Sequence, residues 1–167
     1  HGTSRGLGDV YKRQELYVIN VHFKEDFVLW RKRESGGGLI GTYGSQSAAL
    51  DHLAKEGLKA EDHEIIQTQS HLLLRKDPET GELLKTPFLM DFASSKLRVS
   101  REWNTQIGQL GGDRFSALWK LSSLQTQNRA AQKFYNLNAE NQGWVTEEDY
   151  EYAKEVYTKL NLSPTDS

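Results

Sequence analysis

The sequence contains no cysteine and only three prolines among its 167 residues. Without cysteine there is no disulfide framework, no thiol catalysis and no cysteine-based zinc site. No run of apolar residues approaches the length of about 18 that a membrane span needs. The serine-hydrolase, zinc-protease, phosphate-loop and calcium-loop signatures are also absent. We therefore expect a non-enzymatic protein without a membrane segment, a metal or a cofactor.

Charge is nearly balanced overall, with 21 Lys and Arg against 23 Asp and Glu and a net charge of −2. That balance excludes a globally basic nucleic-acid binder. The overall charge nevertheless includes two segments whose net charges have opposite signs. Residues 85–133 hold eight cations and three carboxylates, a net of +5, whereas residues 140–167 hold two cations and seven carboxylates, a net of −5. The overall charge therefore does not exclude a local basic patch.

The aromatic content, with four Trp, seven Tyr and six Phe, is too high for a disordered chain. The length is that of one domain, and we expect a folded, soluble domain over residues 15–160. Residues 1–14 show no regular apolar period, lack an initiator Met and resemble a translated sequencing-adapter junction. We therefore interpret residues 1–14 as a non-native leader. Residues 161–167 are expected to form a flexible tail.

Apolar residues alternate with polar ones along six segments, which is the period of a half-buried β-strand. Turn signals such as Gly36-Gly37-Gly38 and residues 77–81 separate neighbouring segments and favour adjacent hairpins. The predicted strands cover residues 16–32, 39–43, 65–75, 84–92, 115–122 and 134–138.

Three helical segments interrupt the strands, and each begins near a hydroxyl residue suited to an N-cap. In the second segment Val99, Trp103 and Ile107 are spaced four apart and lie on one face. The order β-β-α-β-β-α-β-β-α predicts an α+β fold with helices on one side or at an end of the sheet. We expect an antiparallel sheet, or a partly closed OB-like barrel, of about six strands with three helices. The expected caps are Ser45, Ser94 or Ser95, and Thr146 together with Asp149.

Cations and small hydroxyl side chains are concentrated at the start of the second helix. Lys96, Arg98 and Arg101 follow Ser94 and Ser95 directly. Hydroxyl groups and helix N-terminal amides are common phosphate contacts in nucleic-acid-binding proteins. This pattern indicates a phosphate-binding patch; the alternative interpretation is a solvated helix face.

Aromatic residues are interleaved with cations elsewhere, since Trp30 precedes Arg31-Lys32-Arg33 and Tyr43 lies in a glycine-flanked loop. A basic groove with stacking rings holds single-stranded nucleic acid without reading its sequence. Other aromatic residues belong to strands or helices and are expected in the core: Phe23, Phe88, Phe92, Trp103 and Trp119. The predicted nucleic-acid-binding residues are Lys96, Arg98, Arg101, Trp30, Arg31, Lys32, Arg33, Tyr43 and Lys120.

The segment from Pro87 to Asn104 (PFLMDFASSKLRVSREWN) resembles part of a group of small, largely uncharacterised proteins of tailed bacteriophages. Residues 36–40 and 115–144 are similar to the same group. The resemblance implies a phage protein in the host cytoplasm that binds single-stranded DNA during replication or recombination. The alternative is a virion-associated or protein-interaction module without nucleic-acid binding. In that module the −5 and +5 segments of neighbouring copies would pair in a homo-oligomer.

Overall fold

The computed structural model of the chain describes residues 12–127 and 133–161. Within these ranges, six strands and three α-helices follow one another in the predicted order. Single turns of 3-10 helix lie at Arg33–Ser35, Ala60–Asp62, Ser94–Lys96 and Arg114–Ser116. The main elements are β1 (Lys12–Arg31), β2 (Leu39–Tyr43), α1 (Gln46–Lys55), β3 (His63–Lys76), β4 (Phe88–Ala93), α2 (Leu97–Gly108), β5 (Ala117–Gln127), β6 (Lys133–Trp144) and α3 (Glu147–Asn161).

The six strands form one antiparallel sheet with the order β4-β3-β1-β5-β6, and β2 pairs with β1. Because β1 is 20 residues long, it pairs with β5 over residues 12–19 and with β2 over residues 27–30. The sheet is open. The α+β prediction is confirmed, and of the two predicted arrangements the structure has the sheet and not the barrel.

The predicted hairpins are confirmed, because β1 pairs with β2, β3 lies beside β4, and β5 pairs with β6. The bounds of β4 differ from the prediction, which began at residue 84. Leu83 makes an isolated bridge to Lys76, and the continuous strand begins only at Phe88. Pro87 lies immediately before it and has no N–H to donate to a ladder.

The described residues divide into two compact units. The first unit comprises residues 12–22, 72–88, 102–127 and 133–161, and the second comprises residues 23–71 and 89–101. β1, β3 and α2 each contribute residues to both units.

Aromatic rings and aliphatic side chains form the core of the first unit on the α3 side. The ring of Phe115 lies 5.4 Å from that of Tyr150 and 5.5 Å from that of Tyr157 (centroid distances). The predicted apolar stripe of α3 packs there, with Ala153 fully buried. The cluster is completed by Ile19, Val21, Leu74 and Leu83.

A pair of tryptophans packs on the other side of the same unit. The rings of Trp103 on α2 and Trp119 on β5 are nearly perpendicular, with centroids 6.1 Å apart, and both residues are at most 1% exposed. Trp119 is paired with Val18, whereas Leu118 is paired with Ile19 of the α3 core. Neighbouring side chains of a strand point to opposite faces. Trp103 and α3 therefore cover opposite faces of the sheet, whereas the sequence predicted helices on one side or at an end.

The predicted helix caps of α1 and α3 are confirmed. The Ala48 amide donates to Ser45 Oγ over 3.1 Å, and the Asp149 amide donates to Thr146 Oγ1 over 3.1 Å. The second helix begins later than Ser94 or Ser95, at Leu97. A 3-10 turn precedes it, with Ser94 at a φ of +54°.

The predicted core is buried in part. Phe92, Trp103 and Trp119 are almost inaccessible, whereas Phe23 and Phe88 are half-buried. Among the described residues, the helices are all too short or too polar to cross a membrane.

Candidate nucleic-acid interface

The second unit contains eight of the nine predicted binding residues, and Lys120 lies in the first. Lys120 Nζ is 3.6 Å from Glu140 Oε1, on the neighbouring position of β6. Its charge is therefore partly compensated. Lys120 thus belongs to a different unit from the other eight, and its part in binding stays a prediction.

Trp30 lies near the end of β1 and faces Leu39 of β2, at a register shift between these strands. Residues directly opposed in an antiparallel pair share a face of the sheet. Trp30 is 37% exposed and Leu39 is 59% exposed. They form an accessible apolar pair, one member of which is an indole able to stack.

Three cations follow Trp30 on an ordered turn. The Arg31 amide donates to the Gly38 carbonyl over 2.9 Å, and the Gly37 amide donates to the Lys32 carbonyl over 2.9 Å. Residues 36–38 have φ values of +113°, +72° and +112°, which glycine adopts readily and other residues do not. The side chains of Arg31 and Arg33 are exposed and that of Lys32 is half-buried. We call residues 30–39 the basic turn.

The basic turn is also tied to the start of β3. The Lys32 amide donates to the Asp62 carbonyl over 2.8 Å, and Ser35 Oγ donates to Asp62 Oδ1 over 3.0 Å. Glu34 is the one carboxylate within the turn itself. With Asp62 included, the turn therefore presents three cations beside two carboxylates, on a backbone that is fixed at several points.

Tyr43 is less accessible than its glycine-flanked position predicted. It is half-buried, opposite Phe27, and its ring centroid lies 5.4 Å from that of His52 on α1. Its hydroxyl also lies over Gly41, where a Cβ would be only 2.7 Å away. Tyr43 is therefore half-buried and not exposed, because it packs against α1 and the backbone of its own strand, and its stacking on a base stays a prediction.

Arg98 and Arg101 of α2, together with Lys96 just before it, are exposed, and we call these three the α2 cations. The sheet holds one of them, Arg101. Arg101 Nη2 donates to Gln67 Oε1 of β3 over 3.4 Å. Gln67 Nε2 in turn donates to Glu25 Oε2 of β1 over 2.6 Å. Arg101 thus lies at one end of a series of polar contacts that runs across the second unit.

This series continues into the interior. Glu25 Oε2 also accepts from Gln69 Nε2 over 2.8 Å, and Ser100 Oγ donates to Gln69 Oε1 over 2.5 Å. His71 Nε2 lies 2.7 Å from the same hydroxyl. Because Ser100 has one hydroxyl hydrogen and gives it to Gln69, the imidazole N–H must be the donor to Ser100. We call Arg101, Gln67, Glu25, Gln69, Ser100 and His71 the polar chain.

The direction of these hydrogen bonds distinguishes a structural Ser–His pair from a catalytic one. A serine nucleophile would donate its proton to the imidazole, whereas here the imidazole donates to Ser100. Both Ser100 and His71 are fully buried, and His71 packs between the rings of Phe23 and Phe92, each with its centroid 5.1 Å away. The arrangement is that of a satisfied internal network.

The polar chain also fixes the charge state of Glu25. Hydrogen bonds from Gln69 and Gln67, and the nearby charge of Arg101, hold the pKa of this carboxyl below its ordinary value of 4.5. Arg101 therefore faces a carboxylate, which reduces the positive charge it offers to a phosphate.

The α2 cations and Trp30 belong to different elements of the second unit. Glu25, which contacts Gln67 and Gln69, lies five positions before Trp30 on β1, and the register of β1 against β2 shifts between Leu29 and Trp30. Arg101 approaches Glu25 through Gln67, and Arg98 shares its helix face at a spacing of three. The predicted residues therefore form two groups, the basic turn with Trp30 and the α2 cations beside the polar chain.

Sequence reasoning missed two features. The first is the polar chain, whose signal was available as polar residues at every second position of β3, at Gln67, Gln69 and His71. The second is Trp144, which is 68% exposed at the end of β6 in the first unit. No three His, Asp or Glu side chains in the described parts of the chain converge in a way that could hold a metal ion.

Fold and site together define a class of protein: an open antiparallel α+β sheet that carries a basic turn beside an exposed indole. The family model for the Pam3 phage gp34-like protein matches residues 5–163, and the chain belongs to this family. It is thus a phage protein, as the resemblance implied. No curated protein and no solved structure matches the chain.

The family match begins at residue 5, inside the segment interpreted as a leader. β1 likewise begins at Lys12, where it pairs with Gln125 of β5. Residues 1–11 and 162–167 lie outside the described residues, so the leader at 1–14 and the tail at 161–167 stay predictions.

Proposed function

We propose that the protein is a non-catalytic phage protein that binds single-stranded DNA through the basic turn, in replication or recombination. The observation that carries this proposal is the exposed indole of Trp30, followed immediately by three cations on an ordered turn. Stacking on an aromatic ring contributes about 1–3 kcal/mol per base in such sites.

The two parts of the turn have complementary roles. Trp30 and Leu39 offer an apolar surface to the face of a base, and the exposed guanidinium groups of Arg31 and Arg33 offer planar donors to phosphate oxygens. None of these contacts depends on base identity, so binding would be largely independent of sequence. Neutralising phosphates releases counterions, which makes the affinity fall as salt rises.

The test is a titration of fluorescently labelled oligo-dT with the full chain, at a low and a high salt concentration. We expect salt-sensitive binding at micromolar protein. Trp30→Ala should weaken it about tenfold, equivalent to about 1.4 kcal/mol for one stacked base. Replacing Arg31 and Arg33 together by Gln should lower the slope of log affinity against log salt by about 2.

Two matched variants control this experiment. Trp144→Ala removes a more exposed tryptophan from the first unit and should leave DNA binding unchanged. Arg101→Gln removes a cation beside Glu25 and should change the affinity less than the loss of Arg31 or Arg33. Absence of salt-sensitive binding, or an equal loss in Trp30→Ala and Trp144→Ala, would refute the proposal.

A second candidate function is a virion-associated or protein-interaction module that does not bind DNA. The observation in its favour is Trp144, because an indole that is 68% exposed is typical of a contact surface. Sedimentation of wild type and Trp144→Ala separates the two proposals. The interaction module would be favoured if the wild type formed a stable oligomer that did not bind oligo-dT, and if the Trp144→Ala variant were monomeric.

A further inference from the structure

A cleft of about 470 Å³ lies in the first unit. It is lined by residues 15–17 of β1, by residues 75–79 at the end of β3 and in the following turn, and by Leu84. None of these residues belongs to the basic turn or to the polar chain. The cleft therefore shares no residue with the proposed DNA site.

The lining residues show how the cleft is oriented. Residues 15–17 are consecutive, and consecutive side chains of a strand point to opposite faces. A hollow on one face of the sheet would be lined by every second residue. A cleft lined by all three lies along the edge of the strand.

The neighbouring strands show which edge this is. On one side, residues 15–17 of β1 pair with residues 122–120 of β5. The strand on the other side of β1 is β3, which ends at Lys76 on the wall of the cleft, whereas β1 continues to Lys12. The cleft thus begins where β3 ends and continues its position beside β1.

The edge of a strand presents backbone N–H and C=O groups that pair readily with an added strand. Extended peptides bind in this way, with main-chain hydrogen bonds supplying affinity and neighbouring pockets supplying specificity. The half-buried ring of Tyr17 and the side chain of Leu84, which is 42% exposed, provide apolar contact beside this edge.

The charges of the lining favour a cationic occupant. Lys76 Nζ lies 2.6 Å from Asp149 Oδ2, and both side chains are largely buried, so this cation is already compensated. Glu15 and Glu79 are exposed carboxylates on the lining, and Asp77 adds a third, against the single exposed cation Arg75. A Lys or Arg of the occupant would therefore be attracted to the side of Glu15 and Glu79.

We propose that an extended segment of a partner polypeptide adds to the sheet as a strand along β1 in this cleft, with a Lys or Arg side chain next to Glu15 and Glu79. The interaction is non-covalent and goes beyond the proposed binding of DNA. It assigns a protein partner to the first unit.

The probe is the peptide Ac-Thr-Val-Lys-Val-Thr-NH2, titrated into the isotopically labelled full chain and followed by amide chemical shifts. We expect saturable shifts of the amides of residues 15–17, 75–77 and 79 at millimolar peptide. Two analogues, N-methylated on alternate amides, distinguish strand addition from side-chain docking. Only alternate residues of an added strand direct their N–H groups to β1. One analogue should lose affinity about tenfold, as expected for two lost hydrogen bonds, and the other should keep it.

Charge variants test the second part of the proposal. Glu15→Lys should weaken the lysine peptide several-fold and strengthen a peptide with Glu in its place. Glu64→Lys, at an exposed site on β3 outside the cleft, is the matched control and should change the affinity of neither peptide. Equal affinities of both methylated analogues, or no shifts at residues 15–17 at millimolar peptide, would overturn the proposal. Oligo-dT binding by the same samples reports separately on the DNA site.

Discussion

Both units of the molecule combine apolar packing with buried polar groups, but the polar contacts differ in kind. The first unit has the perpendicular pair Trp103 and Trp119 on one face and the α3 core on the other. In the second unit the polar residues Gln69, Ser100 and His71 are at most 5% exposed and bind one another. The buried polar groups of the first unit contact charged side chains, Asn20 with Arg114 and Asp149 with Lys76, whereas those of the second form one connected hydrogen-bond network.

This difference bears on where each proposed site lies. Apolar contacts are non-directional and tolerate small displacements, whereas a buried polar network is stable only when each member has its partner. The network joins β1, β3 and α2 in one arrangement within the second unit, the unit that also carries the basic turn. A surface that positions cations next to an indole gains from such a defined scaffold.

The largest effect should come from the tryptophan core of the first unit. Trp119→Ala removes a fully buried ring and should lower the free energy of unfolding by about 4 kcal/mol. Trp30→Ala, in the second unit, removes a ring that is 37% exposed and should cost about 1 kcal/mol. Urea denaturation followed by circular dichroism measures both. If the two variants lost similar free energies of unfolding, the expected difference between the buried ring of Trp119 and the partly exposed ring of Trp30 would be wrong.

A smaller effect is expected from the polar chain. Ser100→Ala leaves Gln69 Oε1 without its donor and the His71 N–H without its acceptor, both in the interior. Each unsatisfied buried group costs about 1–3 kcal/mol, and relaxation of the neighbours should bring the total to about 2 kcal/mol. The same urea denaturation measures it.

Ser95→Ala is the matched control for this change, because Ser95 is exposed and lies five positions earlier. It should alter the free energy of unfolding by less than about 0.5 kcal/mol. If Ser100→Ala were equally mild, the polar chain would contribute little, and the contrast between the units would rest on the apolar core alone.

Features with local causes were predictable from the sequence. Ser45 and Thr146 cap their helices through amides three residues away, and the alternation of apolar residues identified each strand. Turn chemistry between the strands was enough to predict the adjacent hairpins. These patterns depend on neighbours within a few positions, so one sequence contains them in full.

Features that depend on distant residues were not predictable in the same way. Ser100 is buried because Gln69 and His71, about thirty positions earlier, meet its hydroxyl. Tyr43 is half-buried because α1 turns back and places His52 against its ring. The separation of the predicted binding residues into two groups likewise follows from distant contacts, those of Glu25 with Gln67 and Gln69 and that of Arg101 with Gln67.

The dependence of stability on pH in the alkaline range should test a contact of the first unit. Tyr150 Oη donates to Asp113 Oδ2 over 2.6 Å, and this hydrogen bond is the main reason why the pKa of Tyr150 is raised above 10.0. Its contribution is present below pH 10.0 and is lost as pH rises through the folded-state pKa. The wild type should therefore lose stability more steeply than Tyr150→Phe above about pH 10. Parallel curves from thermal melts would contradict this.

The dependence of stability on pH in the acid range should test the second unit. Here the pKa in question is lowered in the folded state and not raised. Because the pKa of Glu25 is lowered in the folded state by Gln69, Gln67 and Arg101, its contribution is complete above pH 4.5 and is lost as pH falls through the folded value. Glu25→Gln should flatten the decline of melting temperature below about pH 4.5. The effect should be small, since the carboxyl is exposed to solvent. Glu64→Gln, which replaces an exposed carboxyl on β3 outside the polar chain, is the matched control. An equal flattening in both variants would mean that the network does not distinguish Glu25 from an ordinary surface carboxyl.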